Sequence, residues 1–175
     1  GMIGRDAASG DPDFEVPVGS GVSPFYAGSL WIGGLDSAGT LRLAALRYDQ
    51  ILPSDYAPGP LTTDGTASVD STLSAQYDHV WSITAGEVAD HQAYFNCLQT
   101  PGCDVAIQFP GYVIPSDILS WPGNGDVLAG QASLLAPFID VDGDGVYEPG
   151  NGDAPCIQGD QALYFIFNDK LAQHS

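Results

Sequence analysis

Basic residues are almost missing from this chain. One lysine and three arginines stand against 22 aspartates and glutamates, a formal net charge of -18 over 175 residues. A surface that tracks phosphates needs clustered Lys and Arg, so nucleic acid is excluded as a natural partner, as are anionic membrane surfaces. Divalent cations are the obvious partners instead. Long apolar runs are missing too: no stretch approaches the roughly 20 residues of a membrane span, and no membrane insertion is expected. The opening GMIGRDAASG lacks a basic-then-apolar export signal. Gly1 ahead of Met2 has the look of a tag remnant. The stop at NDKLAQHS, just past an apolar strand, reads as a cut through a longer protein.

What is present points to a folded domain rich in turns. Hydrophobic residues make up 44% of the chain, far from the composition of disorder. Glycine (22) and proline (13) with only 15% charged residues favour short strands over long helices. The expectation is one β-rich domain over residues 2–175, a β-sandwich or jelly-roll-like fold with one short helix and long loops.

Along the chain, 11–29 reads as an irregular lead-in, and 30–36, 37–40 and 41–49 as strand, turn, strand. Gly33–Gly34 inside the first strand suggests a bulge or a close backbone approach. Residues 53–74 form a long polar, proline-containing loop, and 77–84 a further strand. Thr84 three residues before Glu87 has capping-box spacing, and Val88, His91, Gln92 and Phe95 share one face, so a helix is expected over 85–98. PSDILSW (115–121) reads as a helical turn with Ser116 as N-cap. QALYFIFND (161–169), the most apolar strand, is expected mid-sheet.

Cys97 and Cys103 flank LQTPG, a turn that can bring them within bridging distance, and form the disulfide candidate of an exported protein. Cys156 then reads as a small buried hydrophobe. Its pairing with either of the others is the alternative.

DVDGDGVYEPGNGD, residues 140–153, carries the chemistry. Asp140, Asp142 and Asp144 alternate around Gly143 and Gly145. Three carboxylates this close repel one another unless a cation sits among them. Their order is that of an EF-hand loop: Asp at positions 1, 3 and 5, Gly at 6, and the backbone carbonyl of Val146 at 7. Position 12 is Asn151 rather than the bidentate Glu, and Pro149 forbids a continuing helix interior. This is a calcium-like loop without EF-hand helices. Asp153 is the candidate closing carboxylate, ahead of Glu148 and Asn151. Several anionic oxygens suit Ca²⁺ better than Mg²⁺, and so many protein ligands leave little room for a substrate.

Other constellations are weaker. Glu87 and His91, with His79 and Asp90, could form a zinc or acid–base site, but EVADH is not HExxH, and a capping Glu with a half-buried His explains the pair. Asp117, Asp126, Asp160 and Asp169 could supply a glycosidase-like pair, as some pair always will among 22 acids. Trp31, Trp81 and Trp121 could stack on sugars, although Trp in short apolar runs is more often core. No serine or cysteine sits in a nucleophile elbow.

The segments GSGVSPFYAGSLWIGGLDSAGTLRLAALRY, IPSDILSWPGNGD and LAPFIDVDGDGVYEPGNGDAPCIQGDQALYFIFND together resemble the N-terminal region of large exported surface proteins of Bacteroidota, of the type that carry a C-terminal type IX secretion sorting domain. The resemblance covers most of 13–170 and is sharpest over 121–169. It implies a secreted or cell-surface location, and its acidic block coincides with Asp140, Asp142, Asp144 and Asp153. The combined expectation is a calcium-binding, non-catalytic structural or adhesion module whose partner is an extracellular protein or glycan. A carbohydrate-binding or glycoside-hydrolase-like module is the alternative.

Overall fold

Short elements alternate with turns throughout. The structure, a computed structural model, describes residues 11–45, apart from 13 and 27, and residues 55–170. In chain order the elements are β1 (Trp31–Leu35), β2 (Leu41–Ala45), β3 (Ala57–Pro58), α1 (Ser71–Gln76), β4 (Trp81–Thr84), α2 (Ala85–Gln99), α3 (Val105–Gln108), α4 (Ser116–Leu119), β5 (Phe138–Ile139), β6 (Ala154–Pro155), β7 (Gln161–Tyr164) and β8 (Phe167–Asn168). The end of the expected strand 41–49, the start of loop 53–74 and the tag-like Gly1–Met2 lie outside the described residues.

The sandwich or jelly-roll expectation is overturned. Among the described residues the strands pair only in twos, as β1–β2, β3–β8, β4–β7 and β5–β6, all antiparallel. A sandwich needs two broad faces to bury against each other, and ladders of two to five residues present none. Asp36, Gly59, Asp140 and Asp169 directly follow β1, β3, β5 and β8, and β4 runs straight into α2. The apolar 161–169 segment splits into β7 and β8 and is not mid-sheet: Leu163 is 65% exposed and Phe165 53%.

The chain divides into two compact units, Gly1–Gly59 with Phe167–Ser175, and Pro60–Ile166. In the first, β1 and β2 run in unbroken register with Gly33 opposite Leu43 and Gly34 opposite Arg42, so there is no bulge. The close approach is real, since a Cβ on Gly33 would lie 3.3 Å from Leu43 Cδ1. Asp36 closes the hairpin turn, accepting from the N–H groups of Ala38 and Thr40 at 2.9 Å. The Thr40 N–H holds its carboxyl below the ordinary value.

The second unit has the apolar core: Trp81, Ile83, Val88, Ile118, Trp121, Ala136, Tyr147 and Ala154. Trp81 and Trp121 are core residues, whereas Trp31 is 65% exposed. Buried indoles and phenols need partners, and each finds a backbone carbonyl: Trp81 donates to Ser120, Trp121 to Pro137, Tyr147 to Ile118 and Tyr164 to Leu135. These bonds hold turns to the core where sheets are too small to do so.

Helix α2 starts as its sequence implies. Thr84 Oγ1 accepts from Glu87 N–H, and a Glu87 carboxylate oxygen accepts from Thr84 N–H at 2.8 Å. Val88 and His91 are buried on its inner face. Two helical expectations need correction. The loop 53–74 gives way to α1 at Ser71, because Asp70 caps it through the N–H groups of Thr72 and Leu73. Ser116 is not the N-cap of α4: Pro115 takes that place without a side-chain bond.

Cys97, on the last turn of α2, is disulfide-bonded to Cys103 with Cα atoms 5.3 Å apart. Cys156 is free and exposed rather than buried, as it lies just beyond β6 where the chain turns outward.

Candidate metal centre

The acidic loop leaves the core at β5 and returns to it at β6, which pair with each other, Ile139 opposite Ala154. Between these fixed ends the loop has an exposed tip, 141–146, and a buried root. At the root Tyr147 and Asp153 are 6% and 1% exposed.

Asn124 grips the root from outside the loop. Its Oδ1 accepts from Tyr147 N–H at 2.8 Å, and its Nδ2 donates to the Tyr147 carbonyl at 2.9 Å. The neighbouring Gly123 must lack a side chain, because a Cβ there would sit 2.5 Å from Tyr147 Cβ. Gly152 has φ 106°, and a Cβ on it would lie 3.0 Å from Phe95 of α2. Burial raises the Tyr147 hydroxyl well above its ordinary pKa.

Asp153 ties the two sides of the loop together. Its Oδ1 accepts from Val141 N–H and its Oδ2 from Glu148 N–H, each at 2.9 Å. Its own carbonyl oxygen lies 3.0 Å from His91 Nε2, while Nδ1 lies 2.8 Å from the Tyr112 hydroxyl. A carbonyl can only accept, so Nε2 bears the proton and Nδ1 accepts from Tyr112. Burial depresses the His91 pKa and keeps the ring neutral.

At the tip, Asp140 accepts from Gly143 N–H at 2.7 Å and from Gly145 N–H at 2.9 Å. The Gly145 bond is the first cause of its lowered pKa. Asp144 accepts from Val146 N–H at 2.7 Å. Gly143 and Gly145 take φ values of 78° and 80°, the left-handed region that turns the chain so tightly.

These constraints bring the expected residues together. Asp140, Asp142 and Asp153 each offer a carboxylate oxygen, all within 4.8 Å of one another, and so do Asp142, Asp144 and Glu148. Both groups could hold a metal ion, and Asp142 belongs to both. Their donors are hard oxygens only, a set that fits Ca²⁺, Mg²⁺ or Mn²⁺ better than zinc or copper. Glu148, ranked behind Asp153 on sequence, takes part at loop position 9. Asn151 donates to its carboxylate at 2.8 Å.

Three of the other acidic candidates, Glu87, Asp117 and Asp126, serve the backbone. Glu87 caps α2, and Asp117 accepts from Ser82 N–H with His79 3.4 Å away. Asp126 caps the turn at 127–129. Sequence reasoning missed Asn124 and Tyr112 as supports of the loop; NGD at 124–126 carried only a turn signal. No family model, curated protein or solved structure matches the chain.

Proposed function

We propose that the chain is a calcium-binding, non-catalytic structural or adhesion module of a secreted or cell-surface protein. The observation that carries this reading is the convergence of Asp140, Asp142, Asp144, Glu148 and Asp153 oxygens on one turn whose root is buried and bonded on both sides. In a protein of net charge -18, a divalent cation converts the mutual repulsion of that turn into attraction. Calcium is preferred over magnesium because the loop offers more carboxylates than a small ion that keeps its waters would use. The carbonyl of Val146 adds a neutral oxygen to the set.

The ion's role in this reading is to close a turn between two core strands. The resemblance to exported Bacteroidota proteins and the Cys97–Cys103 disulfide support an extracellular setting, where millimolar calcium suffices for a weak site. Calorimetric titration of the chelated protein with Ca²⁺ and then Mg²⁺ tests the proposal. Calcium-selective binding that vanishes in Asp142→Ala and Asp144→Ala supports it. Equal heats in the variants, or none in the native protein, would remove it.

A further inference from the structure

Helix α2 supports the acidic loop through two residues. His91 Nε2 donates to the Asp153 carbonyl at 3.0 Å, and Phe95 packs against Gly152. The His91 ring is fixed in turn by the Tyr112 hydroxyl, which donates to Nδ1 at 2.8 Å. With both nitrogens bonded, the imidazole holds one orientation toward the loop. The position of Tyr112 therefore bears on the root of the loop.

Tyr112 lies on the segment that follows the disulfide. Cys103 leads into α3, which Asp104 caps through Ala106 N–H. None of the four residues of α3 is buried, and Ile107 is 72% exposed, so α3 has no anchor in the core. The backbone bonds donated by Ile107, Gln108, Phe109 and Tyr112 all end within the segment. Two attachments return it to α2. At one end the Cys97–Cys103 bridge holds Cα atoms 5.3 Å apart, with Cys97 buried. At the other, Tyr94 stacks on Tyr112 with ring centroids 4.5 Å apart and meets Phe109 edge-on at 5.8 Å.

We infer that the Cys97–Cys103 bridge governs how firmly the root of the acidic loop is held, and that the loop reaches its full calcium affinity only when the bridge is closed. The second half rests on the calcium reading above; the first does not. Opening takes two electrons and two protons from a dithiol. Its thiolate attacks the sulfur of Cys103, the less buried of the pair, and Cys97 leaves as a thiol. The second thiol then releases Cys103 as the dithiol closes to its own disulfide. Closure is the reverse exchange with a disulfide oxidant. Once the bridge is open, nothing fixes the start of α3, and Tyr112 keeps only its ring contacts. Its hydroxyl leaves His91 for part of the time, and the Asp153 carbonyl loses a fixed donor. A site assembled for only a fraction of the time binds more weakly by that fraction.

The test compares closed and dithiothreitol-reduced protein in a Cys156→Ser background, where the freed thiols cannot pair with a third. Calcium affinity is measured by titration. In chelator, hydrogen exchange is followed at the Val141 and Glu148 amides, both donors to Asp153. Reduction is expected to weaken calcium binding about threefold to tenfold and to speed both amides similarly, the size of one net hydrogen bond. A melting curve checks that the reduced protein is folded. Tyr112→Phe keeps the stacking on Tyr94 but removes the hydroxyl. With the bridge closed it should bind calcium as weakly as the reduced protein, and reduction should then change little. A bridge that only lowers the melting temperature, leaving affinity and both amides unmoved, would overturn the inference. So would native affinity in closed Tyr112→Phe, which needs no reduction, or an undiminished response of that variant to dithiothreitol. Faster amides without calcium binding in either state would remove the proposed function and the calcium half of the inference, and would uphold the bridge's hold on the root.

Discussion

The tip and the root of the acidic loop are built on opposite principles. At the tip, Asp142 and Asp144 are exposed, and each accepts from the backbone N–H two residues on. At the root, the Asp153 carboxylate is buried, spans the loop from Val141 to Glu148, and its backbone carbonyl meets His91 of α2. The tip is a local device whose stability is open to an ion. The root is a tertiary one that holds the tip's ends in place whether or not an ion binds. Charge alone does not tell them apart; burial does.

That contrast is broken most severely at the root. Asp153→Ala strands two backbone N–H groups and is expected to cost on the order of 3 kcal/mol even in chelator. Urea denaturation measures it, and a loss no larger than that of a tip variant would erase the distinction. Removal of calcium comes next. At free calcium a hundredfold above Kd the ion contributes about 2.7 kcal/mol, so chelation should lower the melting temperature by several degrees. In Asp142→Ala the chelator effect should vanish, while stability in chelator stays within about 0.5 kcal/mol of the native protein.

Acid sharpens the comparison further. His91 has a folded pKa depressed by burial among Tyr112, Phe95 and Asp153. Below pH about 6.5 the unfolded chain takes up a proton that the folded chain refuses. Stability in chelator should therefore fall with pH from there down to the lower folded pKa, by at most about 1.4 kcal/mol per pH unit. The lowered carboxyl of Asp140 acts only at more acid pH, being lost as pH drops through its folded pKa. A His91→Gln protein whose stability falls equally between pH 7 and 5 would show that the root does not depend on this ring. Outside the loop, Glu87→Ala removes half the α2 capping box and should cost about 1 kcal/mol without altering calcium binding.

Legibility followed the range of the interactions. The Thr84–Glu87 box, the β1–β2 hairpin turn and the Cys97–Cys103 bridge all join residues six or fewer apart, and their spacing announced them. The helix α1 was legible in principle through Asp70, but the polar, proline-containing run before it reads as loop. The sheets were not legible. Alternation marks a strand, but its number of neighbours depends on where turns place other strands, and among the described residues each found one. Cys156 and Ser116 failed for the same reason, since neither residue carries the direction of its chain in three dimensions.

By itself the sequence determined an acidic chain with a glycine-hinged turn of alternating aspartates, a capped helix and a short disulfide loop. Those features rest on local charge repulsion, backbone conformational freedom and capping bonds, all set within a few residues. Only the tertiary structure decided that Asp153 is buried and that Asn124 and His91 brace the turn. Each of these joins residues far apart in the chain, and each depends on desolvation, which no spacing encodes.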